Sequence, residues 1–281
     1  MSTCKHIAVV TSDLEYFNAS ICTGLYQMLL KHNFKISIYL TFENEEKEKE
    51  CVSKLIRQNQ VSGLVIFSSM HNPLFYKEIL YNNHLPVIFV DRLIPYLSYS
   101  NFVTVDNYGG ANKIGKILLE KGAKNIACLS MLRYNRLCSM EDRLNGFRDS
   151  HSNNPEISCI IEELYYSNTL KSMQDILSKW YQSQYSPDAI FATNHLIMNA
   201  LISSIKQNKD WDKLLDKCTL SCFDNLPYFD WIDKPIISVE QPINDIVFYV
   251  GSILMKQIQE PDLSKDDKNI ILPVKIIDRT N

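Results

Sequence analysis

Short apolar runs alternate with amphipathic stretches along almost the whole chain, and this alternation constrains the fold more than any other feature. The stretch Phe102–Leu129 shows one unit: an apolar run, a helical pattern that starts at Asp106-Asn107, and a second apolar run from Ile126. Asp and Asn side chains can accept bonds from the free N–H groups of a first helical turn. Gly122 suits the left-handed residue that ends a helix. Strands and helices that alternate at this spacing indicate a parallel sheet covered on both faces.

The same alternation occurs before and after this unit, which predicts an α/β fold with two similar Rossmann-like lobes. Parallel strands bring their carboxyl ends to one sheet edge, and ligands bind there in open α/β sheets. We therefore expect a ligand cleft between the lobes. The remaining predicted strands are Ile7–Val10, Ile36–Leu40, Leu64–Phe67, Val87–Val90, Ser158–Ile161, Ala189–Ala192, Leu220–Phe223, Ile237–Val239 and a pair around Pro273 within Ile270–Ile277.

Composition excludes several classes of protein. The 281 residues carry a formal net charge of -3, so no basic field for nucleic acid covers the whole domain. No apolar run is long enough to cross a bilayer, and the N-terminal residues run straight into a strand without a signal-peptide core. The eight cysteines contain no CxxC pair and several fall in apolar runs. They are expected to be reduced core residues, which favours the cytoplasm.

Motifs for catalysis are absent from the sequence. The eight glycines form no GxGxxG, and neither GxSxG nor HExxH occurs. Gly110–Ile117 comes within one residue of a P-loop but ends on Ile117 instead of the Ser or Thr that holds Mg²⁺. We therefore expect no cofactor, no metal and no catalytic residue, and interpret the chain as a binding protein and not an enzyme.

Polar residues recur where the predicted strands end. Their mixture of carboxylate, amide, arginine and aromatic groups suits a small polyhydroxylated ligand, whose hydroxyls both donate and accept hydrogen bonds. Each residue also has a purely structural explanation as a helix cap or turn residue. The set comprises Ser12, Asp13, Tyr16, Phe17, Asp91, Arg92, Asn194, His195, Asp224, Asn225 and Gln241, together with Arg143, which begins a predicted helix.

A family resemblance rests on segments that occur in order along nearly the whole chain, from about Lys5 to Arg279. They are IAVVTSDLEYF, PVIFVDR, FVTVDNYGGANKIGKILLEKGAKNIACL, EDRLNGF, PDAIFATNHLIMNAL, LSCFDN, IISVEQP and ILPVKIIDR. The sequence resembles the effector-binding core of LacI/GalR-family bacterial transcription regulators, which has the type I periplasmic-binding-protein fold.

The resemblance implies ligand contacts at most of the same positions. It adds Tyr166, which lies near a position that is often aromatic in the family, and it favours a sugar or sugar-derived effector. His195 stands where the family usually has Asp, so either the contacts at that corner differ or His195 only caps the following helix. The matched ligand positions are Ser12, Tyr16, Phe17, Asp91, Arg143, Asn194, Asp224 and Gln241.

The resemblance also implies the domain arrangement and the partners. The chain is expected to cross between lobes near Thr104, Gln241 and Asp266, with residues 5–103 and 242–265 in one lobe and 104–241 and 266–281 in the other. A homodimer is expected, with no membrane partner. Operator DNA would be bound only through a helix-turn-helix headpiece that precedes the core in family regulators. The first strand starts at Ile7, so a truncated regulator is favoured over a stand-alone sensor.

Two alternatives stay open. A solute-binding protein of a sugar transporter shares the fold but needs secretion, against which the missing signal peptide and the free thiols argue. An enzyme using Asp91 and Asp224 as acid and base has no motif behind it.

Overall fold

The secondary structure alternates between strands and helices, as the sequence predicts. The computed structural model describes residues 5–82, 85–97, 100–132, 138–260 and 269–280. The first part forms β1 (Lys5–Thr11), α1 (Tyr16–Leu30), β2 (Phe34–Leu40), α2 (Glu45–Arg57), β3 (Gly63–Ile66), α3 (Leu74–Asn82), β4 (Val87–Val90) and β5 (Asn101–Val105). The middle part forms α4 (Asn107–Glu120), β6 (Asn125–Leu132), α5 (Cys138–Asp149), β7 (Ser158–Tyr165), α6 (Thr169–Gln182), β8 (Ala189–Ala192), α7 (His195–Gln207), α8 (Lys209–Leu214), β9 (Thr219–Phe223) and β10 (Ile236–Glu240). The last part forms α9 (Ile243–Gln259), β11 (Asn269–Leu272) and β12 (Lys275–Ile277).

The chain divides into two compact units. Unit 1 comprises Met1–Val105 and Pro242–Leu272, and unit 2 comprises Asp106–Gln241 and Pro273–Asn281. Among the described residues, each unit is built around one six-stranded sheet.

The sheet of unit 1 is parallel throughout. Its strand order is β11-β5-β4-β3-β1-β2, so β2 and β11 form the edges. The inner strand β1 is fully buried over Ile7–Val10, where Val10 pairs with Tyr39 of β2 and Ile66 of β3. Burial on both faces explains why such strands are continuous apolar runs in the sequence.

The sheet of unit 2 has the order β12-β10-β9-β8-β6-β7 and is parallel except at one edge. There β12 runs antiparallel to β10, with Val239 opposite Ile276. The predicted fold class is confirmed, and this antiparallel edge strand is a local departure from the expected parallel sheets. A short antiparallel edge strand on an otherwise parallel sheet is a common arrangement, and it needs no crossover helix.

The predicted lobe boundaries need one correction. β11 pairs with β5 through Ile270–Val103 and Ile271–Thr104, so residues 269–272 belong to unit 1, and Thr104 does too. The prediction that placed 104–105 and 269–272 in the second lobe is therefore wrong. The expected crossover at Asp266 lies outside the described residues, and the chain enters unit 2 at Pro273.

Local signals explain where several helices start and end. Asp106 caps α4 by accepting from the Gly109 N–H at 2.7 Å, and Gly122 follows the helix with a φ of 88°, both as predicted. Helix α2 starts at Glu45, because Phe42 and Glu43 have positive φ values and Asn44 provides the cap. Helix α5 begins at Cys138, so Arg143 lies in its second turn and not at its start.

Helix α8 was not predicted. Asn208 caps it by accepting from the N–H groups of Asp210 and Trp211. An Asn followed by acidic residues in the first turn is a start signal that the sequence did contain.

Seven cysteines lie among the described residues, and none of them forms a disulfide with another. Desolvation raises the pKa of Cys22 and of Cys159 to about 11. Separately, we find among the described residues no helix with both the length and the apolar character needed to cross a membrane.

The two helices α4 and α5 of unit 2 approach closely at glycines. A Cβ atom on Gly146 would collide with the backbone carbonyl of Tyr108, and one on Gly115 would overlap both the Oγ and the Cβ atoms of Ser150. The Gly146 carbonyl also accepts a bond from the Asn112 side chain at 2.9 Å. This contact aligns α5, which carries Arg143.

We expect Gly146→Ala to lower the free energy of unfolding by about 1–3 kcal/mol, because backbone cannot move aside as a side chain can. Gly251→Ala on α9 is the control and should cost about 1 kcal/mol or less, since its Cβ would meet the sulfur and methyl end of the flexible Met28 side chain, which can change rotamer. Urea unfolding measures both. Equal losses in the two variants would contradict this account of the helix contact.

Candidate functional site

Arg143 is buried at the carboxyl edge of the unit 2 sheet, with 5% of its surface exposed. Its Nε donates to Asn107 Oδ1 at 2.8 Å and its Nη1 donates to the Thr193 carbonyl at 2.9 Å. The guanidinium carbon lies 3.9 Å from the centroid of the Phe223 ring, a cation–π contact. These partners hold the side chain in place without neutralising its charge.

Asp224 follows β9 and accepts hydrogen bonds from two other elements. Its Oδ2 accepts from the backbone N–H of His195 at 3.0 Å and lies 2.8 Å from the His195 Nδ1. Its Oδ1 accepts from Gln241 Nε2 at 2.6 Å. The residue is 3% exposed and has a φ of 132°, which an L-residue rarely adopts. Such strain persists only where surrounding contacts determine it.

The environment keeps Asp224 ionised. Burial by itself raises the pKa of its carboxyl group, but the hydrogen bond and charge of His195, the charge of Arg143 and the bond from Gln241 outweigh it. The pKa of Asp224 therefore lies below its usual value. Because an ionised carboxylate can only accept, the His195 Nδ1 carries the proton of their shared bond.

Asn194 caps a helix and also keeps a group that could contact a ligand, which are the two roles that the sequence suggested for it. It caps α7 by accepting from the Ile197 N–H at 3.0 Å through Oδ1, and it lies between Thr193, which binds Arg143, and His195. The cap uses its acceptor and leaves its amide nitrogen as a donor.

In unit 1, the residues after β1 form a compact polar loop. Ser12 Oγ donates to Asp13 Oδ2 at 2.8 Å, and Asn18 Nδ2 donates to Asp13 Oδ1 at 3.0 Å. Tyr16 begins α1 and is half-buried, while Phe17 is buried in the core. The loop thus places predicted residues at the carboxyl edge of β1, with Asp13 as its acceptor.

Asp91 follows β4 with a φ of 66°. Its carbonyl accepts from Thr104 Oγ1 at 2.8 Å, and its Oδ2 lies 4.0 Å from Arg92 Nε. Its Oδ1 is buried and has no hydrogen-bond partner within the described part of the chain. A buried carboxylate oxygen without a donor is rare and is consistent with a ligand contact.

Arg92 and Glu43 support this edge. The guanidinium of Arg92 forms a two-pronged ion pair with Glu43, through bonds of 2.8 and 2.7 Å. Such fork-like pairs fix geometry as well as charge. The pair holds the Phe42–Glu43 turn, whose two residues both have positive φ.

Glu48 lies beneath this pair with no exposed surface. Its carboxyl group accepts from Ser68 Oγ at 2.5 Å, Tyr76 Oη at 2.6 Å and the Ser69 N–H at 2.7 Å. Burial raises the pKa of Glu48 above its usual value, and these bonds and Arg92 only partly offset that effect.

Within unit 2, the structure brings four predicted residues into one cluster with His195, and we call these five residues the Arg143 cluster: Arg143, Asn194, His195, Asp224 and Gln241. Tyr166 lies in a 3-10 turn after β7, the strand at the opposite edge of the sheet from β12. Its role stays a prediction.

Sequence reasoning missed the residues that position this cluster. Asn107 was interpreted only as a cap, and Phe223 only as a strand residue, although each touches Arg143. A buried arginine needs acceptors and a flat apolar surface, so the amide after Asp106 and the aromatic before Asp224 were the available signals.

Comparison with known proteins gives the family. Residues 3–280 match the family of periplasmic binding proteins and the sugar binding domain of the LacI family. The chain belongs to this family. The LacI-type domain is 24% identical over 268 residues to the "probable HTH-type transcriptional regulator EndR" of Paenibacillus polymyxa. The aligned region covers 95% of this chain and 77% of that protein. The resemblance noted in the sequence is thereby confirmed.

Solved structures share the fold of this LacI-type domain. A LacI family transcriptional regulator from Enterococcus faecium, with bound ribose, has a TM-score of 0.82 at 21% identity, covering 98% of this chain and 97% of that one. The Caulobacter myo-inositol binding protein, bound to myo-inositol, has a TM-score of 0.84 at 16% identity, covering 99% and 94%. At these identities the likeness concerns the fold.

We expect Asp224→Asn to lower the free energy of unfolding at pH 7 by about 1.5–3 kcal/mol. The reason is that the new amide nitrogen would face a hydrogen-bond donor of His195 or Gln241 where a carboxylate oxygen now accepts. The pKa of Asp224 is depressed in the folded state, so its contribution is full above the unfolded pKa and is lost as pH falls through the folded pKa. The difference between the two proteins should therefore shrink on acidification. Urea unfolding at a series of pH values measures it.

The control for this experiment is Asp216→Asn, which changes an exposed carboxylate of the same unit. It should alter stability little at any pH. A loss in Asp224→Asn that stayed constant down to acid pH would show that the carboxylate charge is not what stabilises the site.

Proposed function

We propose that this chain is the effector-binding domain of a LacI-type transcription regulator and that its effector is a sugar or sugar derivative. The family match over residues 3–280 carries the proposal, together with the similarity to transcriptional regulators. The enzyme alternative has no support, since the relatives found are regulators. As a regulator of bacterial transcription, the protein would act in the cytoplasm.

The proposed ligand groups offer both donors and acceptors, as a polyhydroxylated ligand requires. In unit 1 the acceptor is the buried Asp91 Oδ1, with Ser12, Tyr16 and Phe17 at the same sheet edge. In unit 2 the donors are Arg143 and the Asn194 amide, with Asp224, Gln241 and Tyr166 completing the proposed set.

The proposed regulation follows from differential binding. An effector can shift the balance between two domain conformations only by its difference in affinity for them. In family regulators this balance controls DNA binding by a helix-turn-helix headpiece. We propose that operator DNA is a partner through such a headpiece and not through the effector-binding domain itself.

A second candidate is a solute-binding protein of a sugar transporter. The likeness to the myo-inositol binding protein favours it at the level of the fold. The gene sequence upstream of Met1 separates the two: a helix-turn-helix supports the regulator and a secretion leader supports the transporter component.

We also propose a homodimer, supported by apolar surface on unit 1. Ile38 and Leu40 on the edge strand β2 are 41% and 39% exposed, and Tyr26 and Leu30 on α1 are 50% and 54% exposed. A groove of about 560 Å³ lies on the same surface, lined by His6, Tyr26, Leu30, Phe34, Lys35, Ile36 and Ser37. A sheet edge with exposed apolar side chains is a natural site for association.

Thermal unfolding against a panel of sugars, sugar phosphates, uronic acids and purines tests the effector class. A ligand at about 100 times its Kd adds about 2.7 kcal/mol, which should raise the midpoint by roughly 5–10 °C. Arg143→Ala should lose this shift, measured from its own unliganded midpoint. Arg148→Ala, on an exposed turn of the same helix, should keep it. A shift with a purine alone would contradict the sugar proposal.

Sedimentation equilibrium tests the dimer. Ile38→Glu should weaken dimerisation by about tenfold or more, since a charge would be buried at the interface. Ile271→Glu on β11, the other edge of the same sheet, is the matched control because Ile271 is 62% exposed and lies outside the proposed surface. A monomeric chain, or equal weakening by both changes, would count against the proposed surface.

A further inference from the structure

The side-chain amide of Gln241 has a hydrogen bond at its nitrogen, whereas its oxygen has none within the described residues. The side chain is 7% exposed, and its Nε2 donates to Asp224 Oδ1 at 2.6 Å. Its Oε1 is buried and has no hydrogen-bond partner among the residues that the structure describes. A buried carbonyl oxygen of this kind requires a donor, and the proposed effector can supply one.

The charge of Asp224 decides which end of the amide is open. If the amide were reversed, the Gln241 carbonyl oxygen would lie against a carboxylate oxygen, and the two acceptors would repel each other. Only the orientation with Nε2 on Asp224 satisfies the carboxylate. The Gln241 oxygen is thereby directed away from Asp224.

His195 in turn holds Asp224. Its backbone N–H and its Nδ1–H both bind Oδ2, at 3.0 and 2.8 Å. An Asp at position 195, the residue expected from the family resemblance, would have no side-chain donor and would repel the carboxylate of Asp224. With these two bonds and the one from Gln241, three of roughly four acceptor positions on Asp224 are filled. Asp224 is thus a support within the site more than an open acceptor.

We propose that His195 is a positioning residue which, through Asp224, fixes Gln241 with its carbonyl oxygen available to the effector, so that this corner selects a hydroxyl or amino donor and disfavours an anionic group. The part about the effector rests on the proposed function. The part about the side chains concerns unit 2 alone and is tested without a ligand.

The test uses NMR of the side-chain amide protons of Gln241, assigned by their absence in Gln241→Met. His195→Asn places an N–H close to the position of the Nδ1–H, whereas His195→Leu removes the donor at similar volume. We expect slow exchange with water in the unaltered chain and in His195→Asn, and exchange about tenfold faster or more in His195→Leu, because the anchoring carboxylate is released. Similar exchange rates in His195→Asn and His195→Leu would overturn the proposal.

His195→Ala replaces the leucine variant if the latter does not fold, since it also removes the ring donor and keeps the backbone N–H. Its amide exchange is expected to be fast, and slow exchange would overturn the proposal equally. If His195 had only a general structural role, the exchange rate of the Gln241 side-chain amide protons would not differ between His195→Asn and the variants His195→Leu and His195→Ala.

Calorimetric titration with D-ribose tests the effector part. His195→Asn should bind within about threefold of the unaltered chain, and His195→Leu about tenfold or more weakly. Equal affinity in both variants would overturn the selection of a donor by this corner. If no sugar of the panel bound the unaltered chain, the proposed function would fail, while the exchange experiment would still decide the role of His195.

Discussion

The ionised carboxylate of Asp224 is the constraint on which the polar edge of unit 2 depends. A buried charge is costly unless donors surround it, and these come from the start of α7 and the residue after β10. Asp224 itself follows β9, so one carboxylate ties together three elements. Phe223, the residue before it, supports the guanidinium of Arg143. The order of this corner therefore rests on charge compensation, while the sheet beneath it rests on apolar burial.

Much of the fold could be predicted because the strands of a parallel sheet are buried on both faces and leave apolar runs in the sequence. Val87–Val90 and Ala189–Ala192 have the predicted bounds. Strand pairing is a different matter, since it depends on distant residues. The direction of β12 against β10 and the pairing of β11 with β5 have no local signal.

The residues of the candidate site could be predicted from the sequence, but the hydrogen bonds between them could not. Residue type and position after a strand sufficed to select Asn194, Asp224 and Gln241, while Arg143 was selected on a predicted helix. They did not show that Arg143 bonds to Asn107, which lies on another helix, or that Asp224 binds His195 and Gln241. The positive φ of Asp224 was also invisible, because it results from these tertiary contacts.

The chain order of the two units has a consequence for synthesis. Unit 1 lacks α9 and the edge strand β11 until all of Asp106–Gln241 has been made, and unit 2 lacks β12 until Lys275–Ile277 has been made. The sheet of unit 1 is therefore completed only when β11 has been made, and the sheet of unit 2 only when β12 has been made. On the ribosome, β5 is left with an open edge while the whole of Asp106–Gln241 is made, and an open strand edge of this kind favours misassembly and chaperone capture.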